Sequence, residues 1–207
     1  MGDLTHTMQF VRRPPTKPER LAILAGTYNP VTVAHLALAH AALPHADEIV
    51  FVLPRLLPHK NYSGASFEER LELLEVATAG EPRWSVASSE GGLFWEIAAE
   101  CRQAYGENVR LIFVCGRDAA ERISSWDYGR PEAFMEMLHD FELLVASRNG
   151  HYIPSGDTGE AIRLLEMGPD FDLVSATEVR TRLAAGEGWE HLVPAAIRHR
   201  VREIYGR

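Results

Sequence analysis

Short apolar runs alternate with helix-patterned segments along most of this chain, and few folds accommodate such an alternation. Leu21–Ala25, Glu48–Leu53, Arg110–Cys115 and Phe141–Ala146 are near-continuous apolar runs, the pattern of strands covered on both faces. Val33–Leu43, Ser66–Ala79, Leu93–Tyr105, Asp118–Ser124 and Pro131–Leu138 carry helical spacing between them. In Ser66–Ala79 the apolar positions Phe67, Leu71, Leu74 and Ala77 recur three or four apart, and Ser66 with Glu69 makes a capping box. Arg83–Ala87 reads as a short strand, Thr158–Met167 as a helix and Phe171–Val174 as a short strand; Ser175–Leu183 and Pro194–Tyr205 read as closing helices. Parallel strands need such crossovers, and the crossovers are right-handed. The expected fold is therefore α/β: a single doubly wound, Rossmann-like parallel sheet with helices on both faces. Residues 1–20, polar and rich in proline, are expected to form a loose N-terminal arm, with one domain over 21–207.

The bulk properties narrow the function classes. The 207 residues suffice for one α/β domain with a full core. No apolar run approaches the ~20 residues of a membrane helix, and Met1–Arg20 lacks the apolar stretch of a secretory signal. Cys101 and Cys115, the two cysteines, form neither a disulfide scaffold nor a metal-type spacing, so a cytoplasmic location is expected. A net charge of −8 argues against a nucleic-acid binder, although a few placed cations can still hold a small anionic substrate. His35, His40 and His45 stand five apart, which scatters them around a helix, so no metal site is expected there. Lys17 and Lys60 are the two lysines among 21 basic residues; Lys60 falls inside the expected domain, beside His59.

Two segments carry the chemistry. Gly26–His35, GTYNPVTVAH, joins the first strand to the first helix through a Gly/Pro turn. A helix N-terminus offers unsatisfied N–H groups and the positive end of its dipole, which makes it an anion site. Thr32 adds a hydroxyl there and His35 an imidazole donor. Val174–Leu183, VSATEVRTRL, repeats the arrangement: Ser175 or Thr177 caps a helix, Ser175 with Glu178 can form a capping box, and Arg180 reaches back from the first turn. Open sheets of this type bind ligands beyond the carboxyl ends of their strands. Gly26–His35, Pro54–Lys60, Gly116–Asp118 and Ser175–Arg180 all sit at such positions in the expected fold. Two helix N-termini facing one crevice suit a polyphosphate better than a single carboxylate.

With these motifs in place, the chain resembles the nicotinate (nicotinamide) mononucleotide adenylyltransferases of the cytidylyltransferase-like nucleotidyltransferase superfamily. Thr32-Val33-Ala34-His35 stands for that family's [HT]-x-x-H turn, and Val174–Arg180 for its I-S-S-T-x-I-R segment. Leu53–Lys60 resembles its P-P-H-K loop, Ala65–Ala77 its R-L-x-M-L helix, Phe113–Trp126 its G-x-D…W stretch, and Phe141–Gly150 its F-x-V-x-x-R-x-G strand and turn. The resemblance implies adenylyl transfer from ATP to nicotinate or nicotinamide mononucleotide, with Mg²⁺ carried by the ATP phosphates. It implies that Thr32, His35, Lys60 and Arg180 are catalytic. Gly26, Thr27, Tyr28, Asn29, Gly116, Asp118, Ser175 and Thr177 would join His35 and Arg180 in binding ATP, and Trp126 would stack on the acceptor's pyridine ring, with Lys60 nearby. Read as residues alone, Asp118 is a helix cap and Trp126 a packing side chain.

The chain departs from the family at Leu93-Phe94-Trp95, where a Ser-Tyr-Thr stretch is usual, and at Ala34, where Gly is usual. The first departure touches the acceptor's identity and leaves nicotinate against nicotinamide open. A sister enzyme such as a pantetheine-phosphate adenylyltransferase, or a catalytically silent nucleotide-binding module on the same fold, are the competing readings. The expected partners are ATP and a pyridine mononucleotide, with neither nucleic acid nor membrane; homo-oligomerisation is left open.

Overall fold

Side chains along a strand point alternately to opposite faces, and here the alternation builds two separate apolar cores. The computed structural model describes residues 7–57, 64–130, 132–146, 152–153, 158–167, 171 and 173–206. Among them the strands are β1 (Gln9–Arg12), β2 (Arg20–Ala25), β3 (Glu48–Pro54), β4 (Trp84–Ser89), β5 (Arg110–Gly116), β6 (Glu142–Ala146) and β7 (Ile162–Leu165). The helices are α1 (Val33–Ala42), α2 (Phe67–Thr78), α3 (Phe94–Tyr105), α4 (Arg117–Ser125), α5 (Ala133–Met137), α6 (Ala176–Ala185) and α7 (Arg198–Tyr205). One sheet runs in the order β1-β4-β3-β2-β5-β6-β7, parallel except for β1.

Ala22, Leu24, Ile49, Phe51, Ile112 and Val114 face a core shared with α1, α2, α6 and α7. Leu21, Ile23, Val50, Val52, Leu111 and Phe113 face the other, shared with α3, α4 and α5. Every residue of β3 is buried, which is why its sequence shows no polar alternation. The expected doubly wound sheet with helices on both faces is the observed one. Its strand order reverses between β2 and β5, the place where this architecture opens a crevice.

Three expectations need correction. Residues 1–20 are not uniformly a loose arm: Gln9–Arg12 is an antiparallel strand on β4, and Met8 is buried. Arg12 donates to the Thr78 carbonyl at 2.7 Å and hydroxyl at 2.9 Å, and the Arg13 guanidinium lies 3.9 Å from the Tyr105 ring centre. A four-residue strand ahead of Pro14 and Pro15 is too short to carry a periodic signal.

Thr158–Met167 is not a helix. A single turn at Gly159–Ala161 leads into β7, parallel to β6. The segment is rich in helix formers, but the free side of β6 offers ladder bonds and burial for Ile162 and Leu165, and tertiary pairing outweighs propensity. Glu142 then takes ion pairs from both neighbouring strands, Arg110 on β5 and Arg163 on β7. Phe171, Leu173 and Val174 do not form a strand either. Val174 N–H bonds to the Phe171 carbonyl at 3.1 Å in a turn that delivers Ser175 to the start of α6.

Candidate active site

The turn after β2 is built so that its backbone faces inward. Gly26 N–H bonds to the Val52 carbonyl at 3.1 Å, and Tyr28 then folds back with φ of +46°. Its hydroxyl donates to the Leu24 carbonyl at 2.5 Å. A Cβ on Gly26 would press against the Tyr28 ring at 3.0 Å, a contact that glycine avoids. The turn is held from three distant elements. Arg70 of α2, only 4% exposed, donates to the Thr27 carbonyl at 2.8 Å. Arg180 of α6 donates to the Asn29 carbonyl at 2.5 Å, and Tyr205 of α7 to the Asn29 side-chain oxygen at 2.7 Å.

Thr32 is the N-cap of α1 and is fully buried. His35 Nδ1 lies 3.0 Å from the Thr32 backbone nitrogen and 2.8 Å from its hydroxyl. Accepting the backbone N–H requires a lone pair on Nδ1, so the ring proton sits on Nε2. The Thr-x-x-His spacing is thus a capping box in which an imidazole replaces the usual carboxylate, and it fixes the tautomer that can donate to an anion.

At the second motif Ser175 caps α6 by accepting Glu178 N–H at 3.0 Å. The reciprocal half of that box is absent, because the Glu178 carboxylate pairs with Arg182 at 2.6 Å. Arg180 also bonds Ala176 O at 3.1 Å and Thr177 Oγ1 at 3.3 Å, so its guanidinium lies along the helix start.

These groups line a cavity of about 600 Å³ at the carboxyl ends of the strands. Gly26, Thr27, Tyr28, Asn29, Thr32, His35, Gly116, Asp118, Ser175, Thr177 and Arg180 all contribute to its walls. Gly116 is the N-cap of α4, and Asp118 sits in the first turn, so Asp118 is not the cap. A Cβ added to Gly116 would meet nothing within 4 Å. Among the described walls Asp118 is the carboxylate, and Arg117, Arg122 and Arg180 are the arginines. No group of three or more His, Cys, Asp or Glu side chains among the described residues could hold a metal ion. Cys115 is buried, which pushes its thiol up to about 12 and removes it as a nucleophile.

The loop before α3 is fastened by that helix's own glutamates. Gly91 N–H bonds to Glu100 at 3.0 Å, and Gly92 and Leu93 N–H bond to Glu96 at 2.8 Å each. A Cβ on Gly91 would stand 2.5 Å from that of Glu96, so the grip requires glycine. Phe94 lines the cavity and stacks on Phe113 with ring centres 4.1 Å apart; Trp95 is half exposed and is not part of the walls.

A sequence profile described as cytidylyltransferase-like matches residues 23–182. The chain belongs to the cytidylyltransferase-like family. Within it, a probable nicotinate-nucleotide adenylyltransferase of Treponema pallidum is 33% identical, over 86% of this chain and 94% of that protein. Proteins of the same description from Moorella thermoacetica and Bordetella avium are each 28% identical; they cover 90% and 89% of this chain, and 91% and 96% of their own lengths.

Two expected site residues of this cytidylyltransferase-like chain are not among the described cavity walls. Lys60 lies outside the described residues. Trp126, 36% exposed, lines a smaller hollow of about 260 Å³ that shares Tyr128 with the main cavity. Sequence reasoning missed Arg70, Tyr205, Glu96 and Glu100 as supports, and Arg122 as a wall residue. A signal existed for Glu96, three residues after the loop and so placed to cap it. Nothing in one sequence links Tyr205 to a turn 176 positions away.

Proposed function

We propose that this chain transfers the adenylyl group of Mg·ATP to nicotinate mononucleotide, releasing pyrophosphate and forming the dinucleotide in NAD biosynthesis in the cytoplasm. One observation carries the reading. The starts of α1 and α6 converge on one turn, with His35 and Arg180 beside it, in a family whose relatives bear that activity in their names.

The acceptor's 5′-phosphate is already ionised, so one of its oxygens can attack the α-phosphorus of ATP without a protein base. A P–O bond forms as the bond to the β-phosphate oxygen breaks, and the electron pair leaves on pyrophosphate. Catalysis then rests on positioning and on neutralising charge that spreads over the phosphoryl oxygens. His35 Nε2–H would donate to one such oxygen, with its ring set by the Thr32 cap. Arg180, Ser175 and Thr177, with the N–H groups opening α6, would hold the β- and γ-phosphates. Lys60, on the strength of its motif, would add a cation there. Mg²⁺ arrives with the triphosphate as part of the substrate. Asp118 and Gly116, at the start of α4, would meet the adenosine ribose. Trp126 would reach the acceptor from its hollow beside Tyr128.

The test is acceptor profiling at fixed Mg·ATP, reading pyrophosphate release with nicotinate mononucleotide, nicotinamide mononucleotide and phosphopantetheine. Preference for nicotinate mononucleotide supports the reading. Turnover with phosphopantetheine alone points to the sister enzyme, and no turnover with any acceptor points to a silent binding module.

A further inference from the structure

The crevice crosses the carboxyl edge of the sheet from one apolar face to the other, and its two ends differ in chemistry. Thr32, His35 and Arg180 belong to helices on one face. The opposite end is walled by Leu93, Phe94, Ile123 and Tyr128, with the guanidinium-bearing Arg122 among them. Arg122 differs from the other arginines of the walls. Arg117 pairs with Glu121 at 2.6 Å, and Arg180 is hydrogen-bonded to Asn29, Ala176 and Thr177. The Arg122 carbonyl accepts from Ser125 Oγ at 3.4 Å, but its guanidinium makes no hydrogen bond or ion pair with any described residue, and Asp118, one turn earlier on the same helix, does not come within ion-pair reach. The backbone donors of the neighbouring loop are already used: Gly91, Gly92 and Leu93 N–H are held by Glu100 and Glu96. A planar fork of donors beside aromatic and aliphatic side chains matches a flat ring that carries a carboxylate.

Resting on the adenylyl-transfer reading above, we propose that Arg122 binds the ring carboxylate of the acceptor and so selects a pyridine-carboxylate mononucleotide over its uncharged carboxamide. The geometry of the reaction supports this end for the ring. The acceptor's phosphate must meet the α-phosphorus near His35 and Arg180, and its ring then projects away by the length of the ribose. The carboxamide offers Arg122 a carbonyl but no charge, which is a weaker partner.

Steady-state kinetics of Arg122→Gln at saturating Mg·ATP test the assignment. The kcat/KM for nicotinate mononucleotide should fall by roughly 10–100-fold, the range for a lost charge-assisted hydrogen bond. The kcat/KM for nicotinamide mononucleotide should change by less than about 3-fold and the KM for ATP should hold, while Arg122→Lys should recover part of the preference. Equal losses on both mononucleotides, or an unchanged ratio between them, overturn the role of Arg122 while leaving adenylyl transfer intact. Calorimetric affinities of the two mononucleotides for wild type and Arg122→Gln read the same preference without turnover. A protein that binds nicotinate mononucleotide through Arg122 but transfers nothing sinks the transfer reading alone. A wild type that binds neither mononucleotide sinks both.

Discussion

Arg180 and Asn29 lie 151 positions apart in the chain, yet the guanidinium of one donates to the carbonyl of the other at 2.5 Å. The bond ties the start of α6 to the turn before α1, so the two helix starts share one fixed geometry. Arg180→Lys should therefore be more than a change of charge shape. Lysine cannot hold Asn29, Ala176 and Thr177 and still offer a planar fork to phosphate. The KM for ATP should rise by an amount equivalent to about 1–3 kcal/mol, with the acceptor KM nearly unchanged. Unaltered ATP kinetics would mean that Arg180 is a structural tie only.

His35→Ala should fold and lose at least ~100-fold in turnover, the scale of one transition-state donor. It also removes the acceptor for Thr32 N–H, so a loss of about 0.5–2 kcal/mol in stability is expected from the broken cap. Denaturant midpoints and single-turnover rates separate the two effects. A variant destabilised to this extent but turning over normally would reduce His35 to a capping residue.

Gly116→Ala isolates close approach from fold. The backbone there has φ of −80°, which suits alanine, and the added methyl would point into the open crevice. Stability should stay level or gain about 0.4–1 kcal/mol through the unfolded chain, while affinity for ATP falls. Calorimetric titration with ATP, set beside a thermal melt, checks both; unimpaired ATP binding would show that the ligand keeps its distance from Gly116.

The pH dependence of stability should carry the mark of Glu48, far from the site at the start of β3. Its carboxyl is buried and takes hydrogen bonds from the Ser85 and Tyr105 hydroxyls, while its second oxygen has no hydrogen-bond partner among the described residues. Burial pushes the carboxyl above the ordinary range, and the two hydroxyls only partly offset this. A raised folded-state value means that the contribution is fully present below the unfolded pKa of ~4.3 and is lost as pH rises through the folded one. Glutamine keeps the accepting oxygen and carries no charge. Glu48→Gln should then gain stability relative to wild type as pH rises from 5 to 8 in urea titrations. A difference that does not vary with pH would show that Glu48 stays ionised throughout.

The sheet was legible in the sequence because its central strands are buried on both faces and therefore read as unbroken apolar runs, Glu48–Leu53 above all. β1 and β7 were not, since each has four residues and owes its existence to a neighbour's free side rather than to its own pattern. In the site, Thr32, His35, Ser175 and Arg180 were visible because local spacing at a helix start is a local property. Arg70, Arg122 and Tyr205 were not, since each acquires its meaning from what the topology brings opposite it. Trp126 shows the converse: a motif gave its position in the chain, while its orientation depends on α4 and the turn after it.

The three ties on the β2–α1 turn also bear on the order in which the molecule loses its parts. Arg180 and Tyr205 meet Asn29 across sequence separations of 151 and 176 residues. Contacts of that range close the largest loops of chain and repay their entropy only when everything between them is in place. The central strands hold together through shorter-range pairing. Detachment of α6 or α7 alone would slacken the phosphate grip while the sheet stands, so catalytic competence is a property of the whole cooperative unit rather than of its centre. In a denaturant series, turnover should decline with or ahead of the backbone circular dichroism and never behind it.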